Sequence, residues 1–332
     1  MAPVVSSVNP SAGPTAGGTA VTINGSGFTG VTAVKFGSFS ASFTVISTSQ
    51  ITATSPPGAG TVNVTVVAAS GTSNGIAYTY VAPPVLSSLS PGRGPTSGGN
   101  TVTLTGSNLS AATAVRFDTS PAVITGNSPT QVAATAPAAP AAPAEVTVTT
   151  AGGVSNPLPY FYIPAPTISL LSPGKGRLSG GDTVTITGSN LTLTSTVRFG
   201  VTAATGVAVN SDTQVTANAP SGSGSVTVTV TTPGGTSTPG LGTAYYTYLA
   251  PPAVGSLTPS SGPSLGGTTV TITGSGLTYA EEVGFGSVPV PFTAVSDTQI
   301  IAVAPGGVPG PVTVVVSTPA GTTSGIPYQY VT

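Results

Sequence analysis

The sequence predicts an all-β protein that is built from four tandem β-sandwich domains. A turn pattern rich in glycine and proline recurs four times, at intervals of 81 to 86 residues, and begins at Pro10, Pro91, Pro173 and Pro259. This interval exceeds the about 20–50 residues of a solenoid unit and suits an independent small domain. Within each repeat, short alternating apolar and polar runs are separated by turn residues about every 8–12 positions, as in a sandwich of immunoglobulin type.

The elements of repeat 1 show how this prediction arises. Val4–Val8 is a short extended run that Asn9-Pro10 ends. The following glycines and proline predict a turn, because glycine adopts positive φ and proline fixes its own φ. Thr19–Ile23 and Val62–Val66 alternate polar and apolar residues, which indicates half-buried strands.

Aromatic residues return at the same places in every repeat and predict the core. One strand ends in a phenylalanine, at Phe36, Phe117, Phe199 and Phe285. The last strand carries a tyrosine pair, at Tyr78 and Tyr80, Tyr160 and Tyr162, Tyr246 and Tyr248, and Tyr328 and Tyr330. Because cysteine and tryptophan are absent, these aromatics and the aliphatic residues must fill the space between the sheets.

The composition argues against catalysis, a metal site and a cofactor. The chain has no His and no Cys, and only 4% of its residues are charged, against a globular average of about 25%. The usual general base, thiol nucleophile and zinc ligands are therefore missing. The seven acidic residues are scattered, without the facing carboxylates of a glycosidase or the oxygen cluster of a calcium site. We expect no catalytic, metal-binding or cofactor-binding residue.

Charge and hydropathy also limit the partners. A net charge of −1 argues against nucleic-acid binding, and no apolar run approaches the about 18 residues of a membrane span. Met1 runs directly into the first repeat, without the pattern of a signal peptide.

The recurring motifs resemble the IPT/TIG domain family. The order is Gly-Pro-x-x-Gly-Gly-x-x-Val-Thr, then x-Val-x-Phe-Gly, then Thr-Gln-Ile/Val-x-Ala, then Gly-x-Val-x-Val-Thr-Val. Repeat 3 departs from it with Lys175-Gly176-Arg177, and repeat 2 has Asp118 in place of a glycine. The resemblance implies an immunoglobulin-like sandwich of the kind found in bacterial surface and secreted proteins, receptor ectodomains and some transcription factors.

The linkers predict an extended rod. The predicted domains are residues 1–82, 83–164, 165–250 and 251–332, and a short proline-rich segment joins each pair. Such linkers favour semi-rigid, extended spacing.

A few residues stand out as possible surface contacts. A basic residue precedes the core phenylalanine in three repeats, and alternation places it on the outer face: Lys35, Arg116 and Arg198. The first turns of repeats 2 and 3 contain Arg93, Lys175 and Arg177, which could form a basic patch, and Tyr279 is an aromatic residue outside the repeating pattern. For each of them the alternative is an ordinary solvated side chain.

Two functions follow from these observations. The first is a non-enzymatic structural or adhesive rod, a surface spacer or a fibre or filament subunit that self-associates through exposed strand edges. The alternative is an accessory module that binds a glycan or a protein through its inter-strand loops. We expect a bacterial protein with an extracellular or cell-surface location, while virion-associated and cytoplasmic locations stay open.

Overall fold

The computed structural model describes residues 1–240 and 244–332, and every regular element within them is a β-strand. The chain divides into two compact units, Met1–Pro164 and Ala165–Thr332. Each unit contains two repeats. The all-β prediction is confirmed, whereas the exact domain boundaries and the rod arrangement stay predictions.

The first unit contains repeats 1 and 2. The strands of repeat 1 are β1 Val4–Asn9, β2 Ala12–Pro14, β3 Ala20–Ser26, β4 Val31–Phe36, β5 Phe39–Ser47, β6 Gln50–Thr54, β7 Gly60–Ala68, β8 Gly71–Thr72 and β9 Ile76–Val81. Those of repeat 2 are β10 Val85–Ser90, β11 Arg93–Pro95, β12 Thr101–Ser107, β13 Ala114–Phe117, β14 Ser120–Asn127, β15 Gln131–Thr135, β16 Pro143–Thr150, β17 Gly153–Val154 and β18 Leu158–Ile163.

Both repeats of this unit have the same topology. In repeat 1, β1, β3 and β6 form an antiparallel layer with the C-terminal part of β5, while β4, β7 and β9 form the other layer. The strand β5 belongs to both layers, because Phe39–Ala41 pairs with β4 and Ser42–Ser47 pairs with β6. The short β2 adds to β9 in parallel. The result is a two-layered sandwich.

The second unit contains repeats 3 and 4. The strands of repeat 3 are β19 Thr167–Ser172, β20 Lys175–Arg177, β21 Thr183–Ser189, β22 Thr196–Phe199, β23 Thr202–Ala203, β24 Thr205–Ser211, β25 Gln214–Asn218, β26 Gly224–Thr232, β27 Gly235–Thr236 and β28 Tyr245–Leu249. Those of repeat 4 are β29 Ala253–Thr258, β30 Ser261–Pro263, β31 Thr269–Ser275, β32 Glu282–Phe285, β33 Val288–Val290, β34 Phe292–Ser296, β35 Gln299–Val303, β36 Gly310–Thr318, β37 Gly321–Thr322 and β38 Ile326–Val331.

In the second unit, the strand equivalent to β5 is split into two separate strands. In repeat 3, β23 pairs with β22 and β24 pairs with β25, so the two layers are separate sheets of four and six strands. Repeat 4 repeats the arrangement with β33 and β34.

Each repeat buries one aromatic cluster between its layers. In repeat 1 the ring centroids of Phe36 and Tyr78 are 5.0 Å apart and nearly perpendicular, and Tyr80 lies 5.2 Å from Tyr78. Edge-to-face pairs of this kind are worth about 0.5–1.5 kcal/mol beyond the area that they bury. Equivalent pairs lie in the other three cores. The aromatic residues that the sequence predicts to be buried therefore lie in the core of each repeat.

The two departures from the family pattern keep the local geometry. Asp118 has a φ of 53°, close to the 60° of Gly37 at the equivalent place in repeat 1. Its carboxylate accepts a hydrogen bond of 2.7 Å from the backbone N–H of Glu145. Aspartate is one of the few residues that tolerate this left-handed region. In repeat 3, Lys175–Arg177 forms β20 and pairs in parallel with β28, as β2 does with β9.

Candidate functional site

A cleft of about 260 Å³ lies between repeats 3 and 4, inside the second compact unit. The linker Leu249–Pro251 forms one side of it. The other side comes from repeat 4, with Tyr279 in the loop after β31, Asp297 between β34 and β35, and Ser275 and Thr318 at the ends of β31 and β36. The cleft thus combines an aromatic ring, a carboxylate and two hydroxyl groups with an apolar wall.

Asp297 holds the loop that carries Tyr279. Its two carboxylate oxygens accept hydrogen bonds from the backbone N–H of Gly276, at 3.2 Å, and from the hydroxyl of Thr278, at 3.0 Å. The N–H of Gly276 and then the hydroxyl of Thr278 lower the pKa of the Asp297 carboxyl below its usual value. Inside the loop, the N–H of Ala280 donates to the carbonyl of Leu277 at 3.1 Å. The backbone on both sides of Tyr279 is therefore fixed.

Lys175 and Tyr279 meet at the same junction. The Nζ atom of Lys175, on β20, lies 4.5 Å from the centroid of the Tyr279 ring, which is 41% exposed. An exposed cation–π contact of this kind is worth about 0.5–1 kcal/mol. Two residues that the sequence singled out separately, from different repeats, therefore form one feature.

Arg177 forms an ion pair with a neighbour in its own turn. Its Nε atom lies 3.6 Å from Asp182, whose carboxylate also accepts hydrogen bonds from the Arg177 N–H, at 2.8 Å, and from the hydroxyl of Tyr246, at 3.3 Å. Burial raises the pKa of Tyr246, and the charge of Asp182 raises it further. These contacts tie the first turn of repeat 3 to its core, which makes Arg177 a structural residue.

Arg116 and Arg198 are also held locally. Both lie on the outer face of a strand beside a buried phenylalanine, as alternation predicts. The Nη1 atom of Arg116 donates to the carbonyl of Thr119 at 2.8 Å, and that of Arg198 donates to Val201 at 2.7 Å. Each guanidinium therefore closes its own hairpin turn.

The other two basic residues lie in the first unit. Lys35 is half-buried on β4, and Arg93 is exposed at the start of β11, paired with Phe161 of β18. A basic patch that joins Arg93 to the cations of repeat 3 stays a prediction.

Sequence reasoning missed the role of Asp297. The signal was present, because Asp212 and Asp297 both lie two residues before the recurring glutamine, where repeats 1 and 2 have Thr48 and Pro129. In repeat 3, Asp212 braces the equivalent loop by accepting from the hydroxyl of Thr192 at 2.8 Å. Only repeat 4 combines this brace with an aromatic residue.

The described part of the chain, 1–240 and 244–332, contains no group of three or more acidic residues placed to hold a metal ion. Among the same residues there is no helix long and apolar enough to cross a membrane.

Comparison with known proteins gives one family. The model of the IPT/TIG domain matches the chain four times, at residues 3–80, 84–162, 166–247 and 252–330.

Two curated proteins and one solved structure are similar to this chain. Fibrocystin-L of Mus musculus is 29% identical over 289 residues, which cover 82% of this chain and 7% of the relative. Plexin-A2 of Mus musculus is 36% identical over 119 residues, which cover 34% of this chain and 6% of the relative. The chain thus spans less than a tenth of the length of either relative. A solved structure of the Plexin A4 extracellular region covers 97% of this chain and 30% of its own, at 21% identity and a TM-score of 0.38.

Proposed function

Because the chain belongs to the IPT/TIG domain family through all four of its repeats, we propose that it is a non-enzymatic structural or adhesive module. It acts outside the cell or at its surface, needs no cofactor and spaces or joins other components. The proposed partners are a second copy, another surface protein or a glycan.

One observation supports this proposal most directly: the same hydrogen bond stabilises the core of all four repeats. In each repeat the second core tyrosine donates a hydrogen bond of 2.7–2.8 Å to the carbonyl of a proline in the loop before the long strand. The repeated positions are therefore used for the scaffold. The chemically distinctive side chains lie at positions that differ between repeats, which suits a protein that works by spacing and contact.

Small-angle scattering of the full chain tests the spacer part of this proposal. The proline-rich linkers favour an extended particle. Four sandwiches with strands of about 8 residues at about 3.3 Å each would then span on the order of 120–160 Å. A compact particle with a much smaller maximum dimension would overturn the spacer proposal.

A second candidate function rests on the cleft between repeats 3 and 4. A tyrosine ring offers an apolar face for a sugar ring or an aliphatic side chain, and the carboxylate of Asp297 and the nearby hydroxyls offer hydrogen bonds. The brace on the Tyr279 loop favours recognition, because a fixed side chain loses less conformational entropy on binding. We therefore propose this cleft as the place where the module binds a glycan or a protein segment.

A panel of immobilised neutral oligosaccharides, from disaccharides to hexasaccharides, tests the glycan form of this candidate. We expect saturable binding of the full chain to at least one of them. If no oligosaccharide retains the chain, the glycan form fails, and the spacer proposal is unaffected.

A further inference from the structure

Two large apolar side chains at one end of repeat 4 are almost completely exposed. Leu265 is 93% exposed and Val308 is 83% exposed. Leu265 lies in the turn between β30 and β31, and Val308 lies in the loop between β35 and β36. The N–H of Gly307 donates to the carbonyl of Ser264 at 2.8 Å, so the two turns lie side by side. We call the surface formed by Ser264–Gly267 and Pro305–Pro311 the apolar pole.

A cleft of about 530 Å³ opens beside these turns. Val308 lines it together with the core residues Phe285 and Tyr330 and with Val288 and Val312. The hydroxyl of Tyr330 already donates a hydrogen bond to the carbonyl of Pro305, so the Tyr330 ring presents mainly carbon atoms to the cleft. The volume lies in the range of about 300–1,000 Å³ that holds drug-sized ligands, which leaves room for a leucine side chain.

The pole is special to repeat 4. The positions equivalent to Leu265 are Ala16, Ser97 and Ser179. Ala16 and Ser179 are exposed although repeats 1 and 3 are each followed by another repeat in the same compact unit. A following repeat therefore does not cover this position, and the exposure of Leu265 needs another explanation.

We propose that the apolar pole is a self-association site, at which Leu265 of each of two copies inserts into the 530 Å³ cleft of the other. A two-fold interface requires a surface that is complementary to itself, and here a protruding side chain and a cavity lie on the same surface. The distribution of charged residues in repeat 4 also allows a second copy of the chain to bind there. Glu281, Glu282 and Asp297, the charged residues of repeat 4, lie neither in the two turns nor in the lining of the cleft. Two such poles can therefore meet without burying like charges.

This inference rests on the self-association part of the proposed function and identifies its partner as a second copy of the chain. Large exposed apolar side chains that cluster at one place are typical of interaction sites. A leucine that moves from water into a cleft gains hydrophobic free energy, and the two-fold symmetry doubles this gain.

Sedimentation equilibrium of the full chain at increasing concentration is the test. We expect a monomer–dimer equilibrium that Leu265→Ser weakens roughly 100-fold or more, since two leucine contacts are lost and each contributes a factor of about ten or more, or about 1.4 kcal/mol per tenfold. Val201→Ser is the matched control, because Val201 is 90% exposed in a hairpin turn of repeat 3 and should leave the equilibrium unchanged. A wild-type chain that stays monomeric at every concentration, or an equal effect of the two substitutions, overturns the inference.

A second pair of variants tests the insertion itself. Val288→Glu places a charge in the lining of the cleft, at a side chain that is 44% exposed. At a concentration where the wild type is half dimeric, both this variant and Leu265→Ser should be almost entirely monomeric when measured alone. A mixture of the two should form heterodimers, because one intact leucine then meets one intact cleft. If the mixture stays monomeric, the insertion of Leu265 into the cleft is wrong, and the spacer and cleft proposals stand on their own tests.

Discussion

The hydroxyl of Tyr80 donates a hydrogen bond of 2.7 Å to the backbone carbonyl of Pro56. It thereby ties the last strand of repeat 1 to the loop after β6. The neighbouring Tyr78 is more deeply buried, and its hydroxyl has no hydrogen-bond partner among the described residues 1–240 and 244–332. Two adjacent core tyrosines of one strand therefore differ in what their hydroxyls contribute.

This difference predicts that the same substitution has different effects at the two positions. Tyr80→Phe should lower the free energy of unfolding of repeat 1 by about 0.5–1.5 kcal/mol, because it leaves the carbonyl of Pro56 without its partner. Tyr78→Phe should be neutral or stabilising, because it removes a buried hydroxyl that gains nothing in return. Hydrogen exchange, followed on peptides from repeat 1, measures the stability of repeat 1 in both variants separately from the other three repeats. Equal losses in the two variants would contradict the assignment.

A glycine in the first turn of repeat 2 should tolerate no side chain. A Cβ atom at Gly94 would overlap the hydroxyl of Tyr160 and the amide of Asn100. Gly94→Ala should therefore cost about 1–3 kcal/mol through overpacking. Gly92→Ala, two residues earlier, is the control: the nearest atom is the carbonyl oxygen of Leu89 at 3.9 Å, so the change should stay within about 0.5 kcal/mol. Hydrogen exchange in repeat 2 compares them, and equal protection in both variants would refute the steric argument.

The brace on the Tyr279 loop should survive mild acid. Hydrogen bonds to its charged form lower the pKa of Asp297 below the usual 3.8, so the stabilisation is present above pH 3.8 and is lost as the pH falls through the lower folded-state value. The amide resonance of Gly276 followed by NMR from neutral pH downward should change only below pH 3.8. In Asp297→Asn this step should be absent. A transition at or above the usual pKa would contradict the depressed value.

The fold could be predicted from the sequence because the repetition marks its parts. Residues equivalent to Phe36 and Tyr78 occur at matching positions in every repeat. Alternation alone puts Lys35 on the face of β4 opposite to that of Phe36. The turn at Asp118 was predictable in part, since aspartate tolerates positive φ, but its hydrogen bond to Glu145 depends on the neighbouring strand.

The candidate site could be predicted only in pieces. Lys175 and Tyr279 each stand out in the sequence as departures from the repeat. Their contact depends on how repeat 4 is oriented on repeat 3, which local patterns do not encode. The role of Asp297 could not be predicted, because it accepts hydrogen bonds from a backbone N–H and a hydroxyl, and a single acidic residue between strands gives no sign of that.

The central claim is that ligand recognition lies where the repeats differ, in the cleft at the junction of repeats 3 and 4. The most direct test compares the full chain with Tyr279→Ala and Tyr245→Ala on whichever immobilised oligosaccharide retains the wild type. The two tyrosines are similarly exposed, at 41% and 46%, but only Tyr279 lines the cleft. We expect Tyr279→Ala to weaken binding about tenfold or more, the loss of about 1.4 kcal/mol of contact, and Tyr245→Ala to bind like the wild type. Equal binding by all three proteins would contradict the claim.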